Sequence, residues 1–191
     1  APFVFGQSIH GLALDPAGKR LAVVGDRLGQ IVDAITGDLL LTLDLEFSWA
    51  HDCAFSPDGS ALAVAYHGCH VVIFDAATGR RARTIDGFGG VPDGTKRLAF
   101  APDGEHLAFA GSDGSARLVR WRTGEPVWDH RLSGRFRSSL VLVDHRIHAT
   151  NDQGLTTVFE ADPKEFRLVS TNSLDTFCYT TPAISGGRIF L

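Results

Sequence analysis

A tight turn returns three times in this chain, always between two short apolar runs. It reads Asp15-Pro16-Ala17-Gly18, then Ser56-Pro57-Asp58-Gly59, then Ala101-Pro102-Asp103-Gly104. The prolines stand 41 and 45 residues apart, and the glycines of a later turn, Gly37, Gly79 and Gly124, stand 42 and 45 apart. Proline pre-sets φ for a turn, and glycine accepts the left-handed position that follows it. Each unit has room for four short strands, in which residues such as Leu21, Val23 and Ile31 alternate with smaller or polar neighbours. No 3.6-residue apolar period appears, so helical repeats of similar length are excluded.

A period of roughly 40–45 residues with four strands per unit predicts an all-β propeller of four-stranded antiparallel blades. The expected blades are 10–50, 51–95, 96–136, 137–178 and an incomplete 179–191, within one domain over 1–191. About four and a half blades are thus expected. Because a two-stranded unit leaves an apolar face open, they are read as part of a larger ring of six to eight. In the fourth unit Asp144-His145 takes the place of the proline turn. Trp121 and Trp128 are read as packing between blades. Arg80, Arg81 and Arg83 on an outer strand are read as charges that guard a free edge. The glycine-rich loop 87–95 precedes a strand and not a helix, so it is read as a connection and not a phosphate cradle.

The Pro-Asp-Gly turn, the Asp ending the third strand (Val32-Asp33, Phe74-Asp75) and the Thr-Gly turn after it resemble WD-repeat and related bacterial propeller repeats. The resemblance runs over about 10–175 and most clearly over 10–131. The last segment, TTPAISGGRIFL, is similar to pyrroloquinoline-quinone-type repeats. The resemblance implies a rigid scaffold that offers loops to a protein or peptide partner. It equally brings in quinoprotein dehydrogenases and haem nitrite reductases, which use propellers as active-site bowls. The alternatives to a scaffold are therefore the propeller portion of a quinoprotein-like or metal- or haem-linked oxidoreductase, or a sensor domain fused to a catalytic one.

Composition narrows the partner. The formal net charge is −4, which gives no general attraction to nucleic acid or to an anionic membrane. No apolar run approaches the ~18–20 residues of a membrane-spanning helix, so no insertion is expected. Three cysteines, Cys53, Cys69 and Cys178, are too few for a disulfide framework. The chain opens APFVFG with no visible signal peptide, as a mature or excised chain also would, so cytoplasm and periplasm both stay open.

Two groups of residues carry the chemistry. Aligning the first strands on Leu14, Phe55, Phe100, Val141 and Ala183 puts His10, His51, Lys96, Arg137 and Tyr179 four positions earlier, at the mouth of the central channel. With His67 they form the expected partner-binding face, and a basic ring there favours an anionic ligand or an acidic loop. The alternative is that these side chains bond backbone groups at strand starts. The second group is His51, Cys53, His67, Cys69 and His70, whose imidazoles and thiolates would suit zinc or copper if they converged. His-Gly-Cys-His is not a zinc spacing, and Cys53 occupies a slot held by Leu12 and Leu98 elsewhere, so no cofactor is expected. Cys-x-x-Cys-His, Gly-x-Ser-x-Gly and His-Glu-x-x-His motifs are absent, and catalysis by these residues has no motif behind it.

Overall fold

The computed structural model describes residues 6, 8–44, 49–68, 70–86, 95–111, 114–135, 141–160, 162, 164–178, 183–185 and 188–190. All its regular elements are strands. The first sheet is β1 (Ile9–Leu14), β2 (Arg20–Gly25), β3 (Gly29–Asp33) and β4 (Leu39–Thr42). The second is β5 (Ala50–Phe55), β6 (Ala61–Tyr66), β7 (His70–Asp75) and β8 (Arg81–Ile85). The third is β9 (Thr95–Phe100), β10 (His106–Gly111), β11 (Ser115–Arg120) and β12 (Glu125–Arg131). The fourth is β13 (Val141–Val143), β14 (Arg146–Thr150), β15 (Leu155–Glu160) and β16 (Leu168–Ser173). A two-stranded pair, β17 (Ala183–Ser185) and β18 (Arg188–Phe190), follows. In every sheet the strands lie in chain order, each antiparallel to the next.

Side chains of the turns close them locally. The Asp15 carboxylate accepts from the backbone N–H of Lys19 at 2.7 Å and of Arg20 at 3.0 Å, while Gly18 holds φ +66°. Asp33 caps the next hairpin by accepting from Ile35 and Thr36, and Asp75 does the same for Ala77 and Thr78. That is the physical use of an aspartate at the end of the third strand: its side chain imitates a turn of backbone. In the third sheet Arg120 stands there, and the turn closes without a carboxylate, through Gly124 N–H to Arg120 C=O at 2.7 Å and the Thr123 hydroxyl, which donates to the same carbonyl. In the fourth, Asp144 and His145 take φ of +47° and +61°, the two left-handed residues of a two-residue hairpin loop.

The sheets pack face to face in chain order. Strand β6 is buried throughout, and its two faces differ in size. Leu62, Val64 and Tyr66 point with Cys53, Phe55, Val72 and Phe74 at Ala22, Val24, Ile31 and Leu43 of the first sheet. Ala61, Ala63 and Ala65 point with Val71 and Ile73 at Leu98, Leu107, Phe109, Val119 and Trp121 of the third. A bulky face thus meets a face lined with alanine, and each fully buried Leu, Val or Phe contributes about 1.5–3 kcal/mol. The third interface joins Ala110, Ala116 and Leu132 to Ile147, Ala149 and Phe159. Both tryptophans expected at interfaces are there. Trp121 stacks edge-on against Phe100 and donates to Gly104 C=O, and Trp128 packs on Phe159 and Phe166 and donates to Asp162 C=O.

The innermost strands adjoin one another. A Cβ added at Gly11 of β1 would lie 2.9 Å from the Cα of Asp52 on β5, so only glycine permits this approach. Asp52 in turn accepts at 3.1 Å from Leu98 N–H on β9. Inner strands side by side, with sheets packed flank to flank around them, make these sheets blades set about an axis.

Candidate functional site

Each of the first three inner strands carries one extra residue at its start. Ile9 pairs Gly25 and Gly11 pairs Val24, which leaves His10 between them without a cross-strand partner position. Ala50 pairs Tyr66 and Asp52 pairs Ala65, which leaves His51. Thr95 pairs Gly111 and Arg97 pairs Ala110, which leaves Lys96. A bulge re-aims the side chain it carries, and the three bulges recur at one rim of the blades. His10, His51 and the backbone of Lys96 therefore share the rim.

In the fourth sheet the shorter turn moves the register. Leu142 pairs Ile147 as Leu14 pairs Leu21, so the equivalent of His10 counts to Ser138, next to Arg137. Ile184 pairs Ile189 in the same way, which counts to Thr180, next to Tyr179. Arg137 and Tyr179 lie outside the described residues, as does Cys69.

The side chains that meet on the rim form a circuit. The rings of His10 and His51 are 6.3 Å apart, those of His51 and His67 are 6.1 Å apart, and those of His67 and Trp49 are 6.2 Å apart. The backbone then closes the loop: Trp49 N–H donates to Asp26 C=O, and the Asp26 carboxylate lies 3.1 Å from His10 Nε2. On the other side Trp49 C=O accepts from His67 N–H at 3.0 Å. Trp49, in the connection between β4 and β5, is thus pinned between the β2–β3 turn of one blade and the β6–β7 turn of the next.

Its backbone takes φ +67°, a conformation that costs a bulky residue roughly 1–2 kcal/mol, yet 55% of the residue is exposed. Strain kept for a side chain that is not buried points to a use outside the core. Trp49→Gly is accordingly expected to leave the urea midpoint no lower than wild type, because glycine releases the strain. An unfolding free energy lowered by more than about 1 kcal/mol would show instead that the indole holds the two blades together.

Asp52 and Arg97 occupy the position after the bulge on neighbouring inner strands. Burial pushes the Asp52 carboxyl up to about 6, against the pull of Arg97 and of the hydrogen bonds from Leu98 and Cys53 N–H. Arg97 also donates to His51 C=O at 3.4 Å, which ties the third blade to the histidine bulge of the second.

Of the metal group, His51 and His67 stay together on the rim, while Cys53 and His70 turn elsewhere. Cys53 is buried in the apolar cluster between the first two blades, and burial raises its thiol pKa, with the Asp52 charge adding to the effect. His70 pairs through Nδ1 with Asp86, beyond the end of β8. Among the described residues no set of three or more His, Cys, Asp or Glu is placed to hold a metal ion. The rim circuit gains two members that the sequence reading did not weigh, Asp26 and Trp49. The signal for Asp26 was its place directly after the second strand, the slot that His67 fills in the next repeat. For Trp49 it was a large aromatic at the end of the connection, directly before the second blade's first strand.

A structure search matches BamB from Moraxella catarrhalis with a TM-score of 0.72 at 20% sequence identity, covering 94% of this chain and 54% of that one. The fold is a β-propeller. The family model described as WD domain, G-beta repeat, matches residues 82–119 of the propeller. That stretch runs from within β8 to the end of the Val119 position of β11, so the sequence repeat straddles two blades and ties them covalently. No curated protein matches the chain. The propeller spans about half the length of BamB, and at this identity the likeness concerns the fold alone.

Proposed function

We propose that this propeller is an interaction platform that receives a protein or peptide partner on the rim bearing the inner-strand bulges, and that further blades extend it into a larger ring. The observation that carries the first part is the circuit of His10, His51, His67, Trp49 and Asp26, drawn from two blades and their connecting segments. Rigid sheets fix these groups, and a strained, half-exposed tryptophan at their edge has the character of an interface anchor. Recognition here needs no catalytic group.

For the ring, the support is exposure. Leu12 and Leu14 of the first blade are 58% and 60% exposed, while their counterparts Cys53 and Phe55 in the second are 4% and 8% exposed beneath the first blade. The first blade has the same kind of flank and leaves it open.

The test of the rim is selection of phage-displayed random 12-residue peptides on the purified 191-residue chain. The selected peptides are expected to compete with one another, and to lose at least tenfold in affinity for Trp49→Ala and for His51→Ala. Peptides that bind both variants as they bind wild type would place the interaction face elsewhere.

A further inference from the structure

We propose that the rim circuit is a receptor for a cationic side chain of the partner, an arginine, lysine or methylated lysine, held among the three imidazoles and the indole with Asp26 as its counter-charge. This rests on the rim being the interaction face and adds the chemistry of what it receives. The sequence had suggested the opposite sign, since a ring read as His10, His51, Lys96 and Arg137 favours an anion. The structure changes the membership of the ring. Asp26 enters it, 3.1 Å from His10 and hydrogen-bonded through its backbone to Trp49. The circuit is four aromatic rings and one carboxylate.

The dimensions suit that occupant. Three successive ring separations of 6.1 to 6.3 Å set the four rings in one row, so a cation seated between neighbouring rings lies inside the ~6 Å at which an aromatic face attracts it. Indole is the strongest of the aromatic faces for a cation, and here Trp49 is 55% exposed. The carboxylate is accessible too: the Asp26 side chain is 39% exposed and that of His10 29%, so an incoming ammonium or guanidinium can share Asp26 with His10. Of the cations nearby, Arg27 follows Asp26 on the same turn, Lys96 has its backbone on the same rim, and Arg97 faces Asp52 and the His51 carbonyl.

The experiment compares three labelled peptides of one sequence at pH 8, identical except for a central residue: trimethyl-lysine, its uncharged tert-butyl isostere, and glutamate. Fluorescence anisotropy gives affinity, and imidazole proton–carbon NMR signals give location. The trimethyl-lysine peptide is expected to bind at least tenfold tighter than the isostere, and to shift the signals of His10, His51 and His67. Asp26→Asn is expected to cost at least fivefold and Trp49→Ala at least tenfold. Equal binding of charged and neutral peptides, preference for glutamate, or no binding of any peptide at 10 mM overturns the proposal; the wild-type comparison decides this even if a variant fails to fold. If library-selected peptides depend on Trp49 and His51 but carry no basic residue, the rim stands and the cation reading falls. If they ignore both residues, the rim itself falls.

Discussion

Arg20→Ala is expected to lower the stability of the propeller by about 3 kcal/mol, read as a shift in the urea transition at constant slope. The guanidinium sits on the rim opposite the histidine circuit and bonds in three directions. Its Nε donates to the Asp15 carboxylate at 2.9 Å, and its two terminal nitrogens donate to the carbonyls of Ala76 at 3.0 Å and Gly59 at 2.7 Å on the second blade. It also lies 5.2 Å from the centre of the Phe55 ring. Removing it leaves the Asp15 carboxylate, only 5% exposed, without its cation, and two carbonyls without a donor. Burial alone would raise the pKa of Asp15, but the hydrogen bonds from Arg20 and Lys19 outweigh it and hold the pKa below the ordinary value. The stability drawn from that carboxylate is therefore present above the unfolded pKa and lost as pH falls through the folded one, and Arg20→Ala should flatten this acid-side loss. Arg20→Lys keeps the charge but not the fork, so it should recover less than half of the deficit. A loss below about 1 kcal/mol would mean that the first two blades are held by their apolar faces alone. The same position is Ala61 in the second blade and His106 in the third, where Nδ1 pairs with Asp103 and Nε2 is buried without a partner.

The second large effect has the opposite sign from the usual one for removing a buried charge. Asp52 titrates at about 6 in the folded propeller because burial raises it more than Arg97 and its hydrogen bonds lower it. Between the ordinary carboxyl value near 4 and this folded value, the folded state keeps a proton that the unfolded chain has released. The contribution of Asp52 is thus fully present below pH 4 and lost as pH rises through 6, a loss of roughly 2 to 3 kcal/mol by neutral pH. Asp52→Asn cannot ionise, and its amide oxygen can still accept from Leu98 N–H. The stability difference between Asp52→Asn and wild type is expected to move in favour of the variant by that amount between pH 4 and pH 7. Measuring the difference cancels the other carboxylates, which titrate alike in both proteins. A difference that stays constant across this range would show that Arg97 holds Asp52 ionised throughout.

The turns were legible in the sequence because they are local. Pro57-Asp58-Gly59 fixes φ, offers a carboxylate and supplies a left-handed residue within three positions, and nothing distant is needed to form it. The alternation of Leu62, Ala63, Val64 and Ala65 announced a strand buried on both sides. The bulge histidines were legible for a subtler reason. Counting back four residues from Leu14 and Phe55 reaches the residue that escapes the ladder, because the repeat preserves the distance from turn to bulge. That count fails by one in the fourth blade, where a two-residue loop replaces the proline turn and Leu142, not Val141, takes the place of Leu14.

What the sequence determined by itself is the architecture, since period, turn chemistry and strand alternation are short-range and each repeat states them again. What only the tertiary structure decided is which described side chains meet on the rim. Asp26 and Trp49 join His10, His51 and His67 across gaps of 16 to 41 positions, through one carboxylate contact and backbone bonds that no spacing rule encodes. The same packing sent Cys53 into the core and His70 to Asp86. Side chains adjacent in sequence point to opposite faces of a strand, so closeness along the chain says little about closeness at a site.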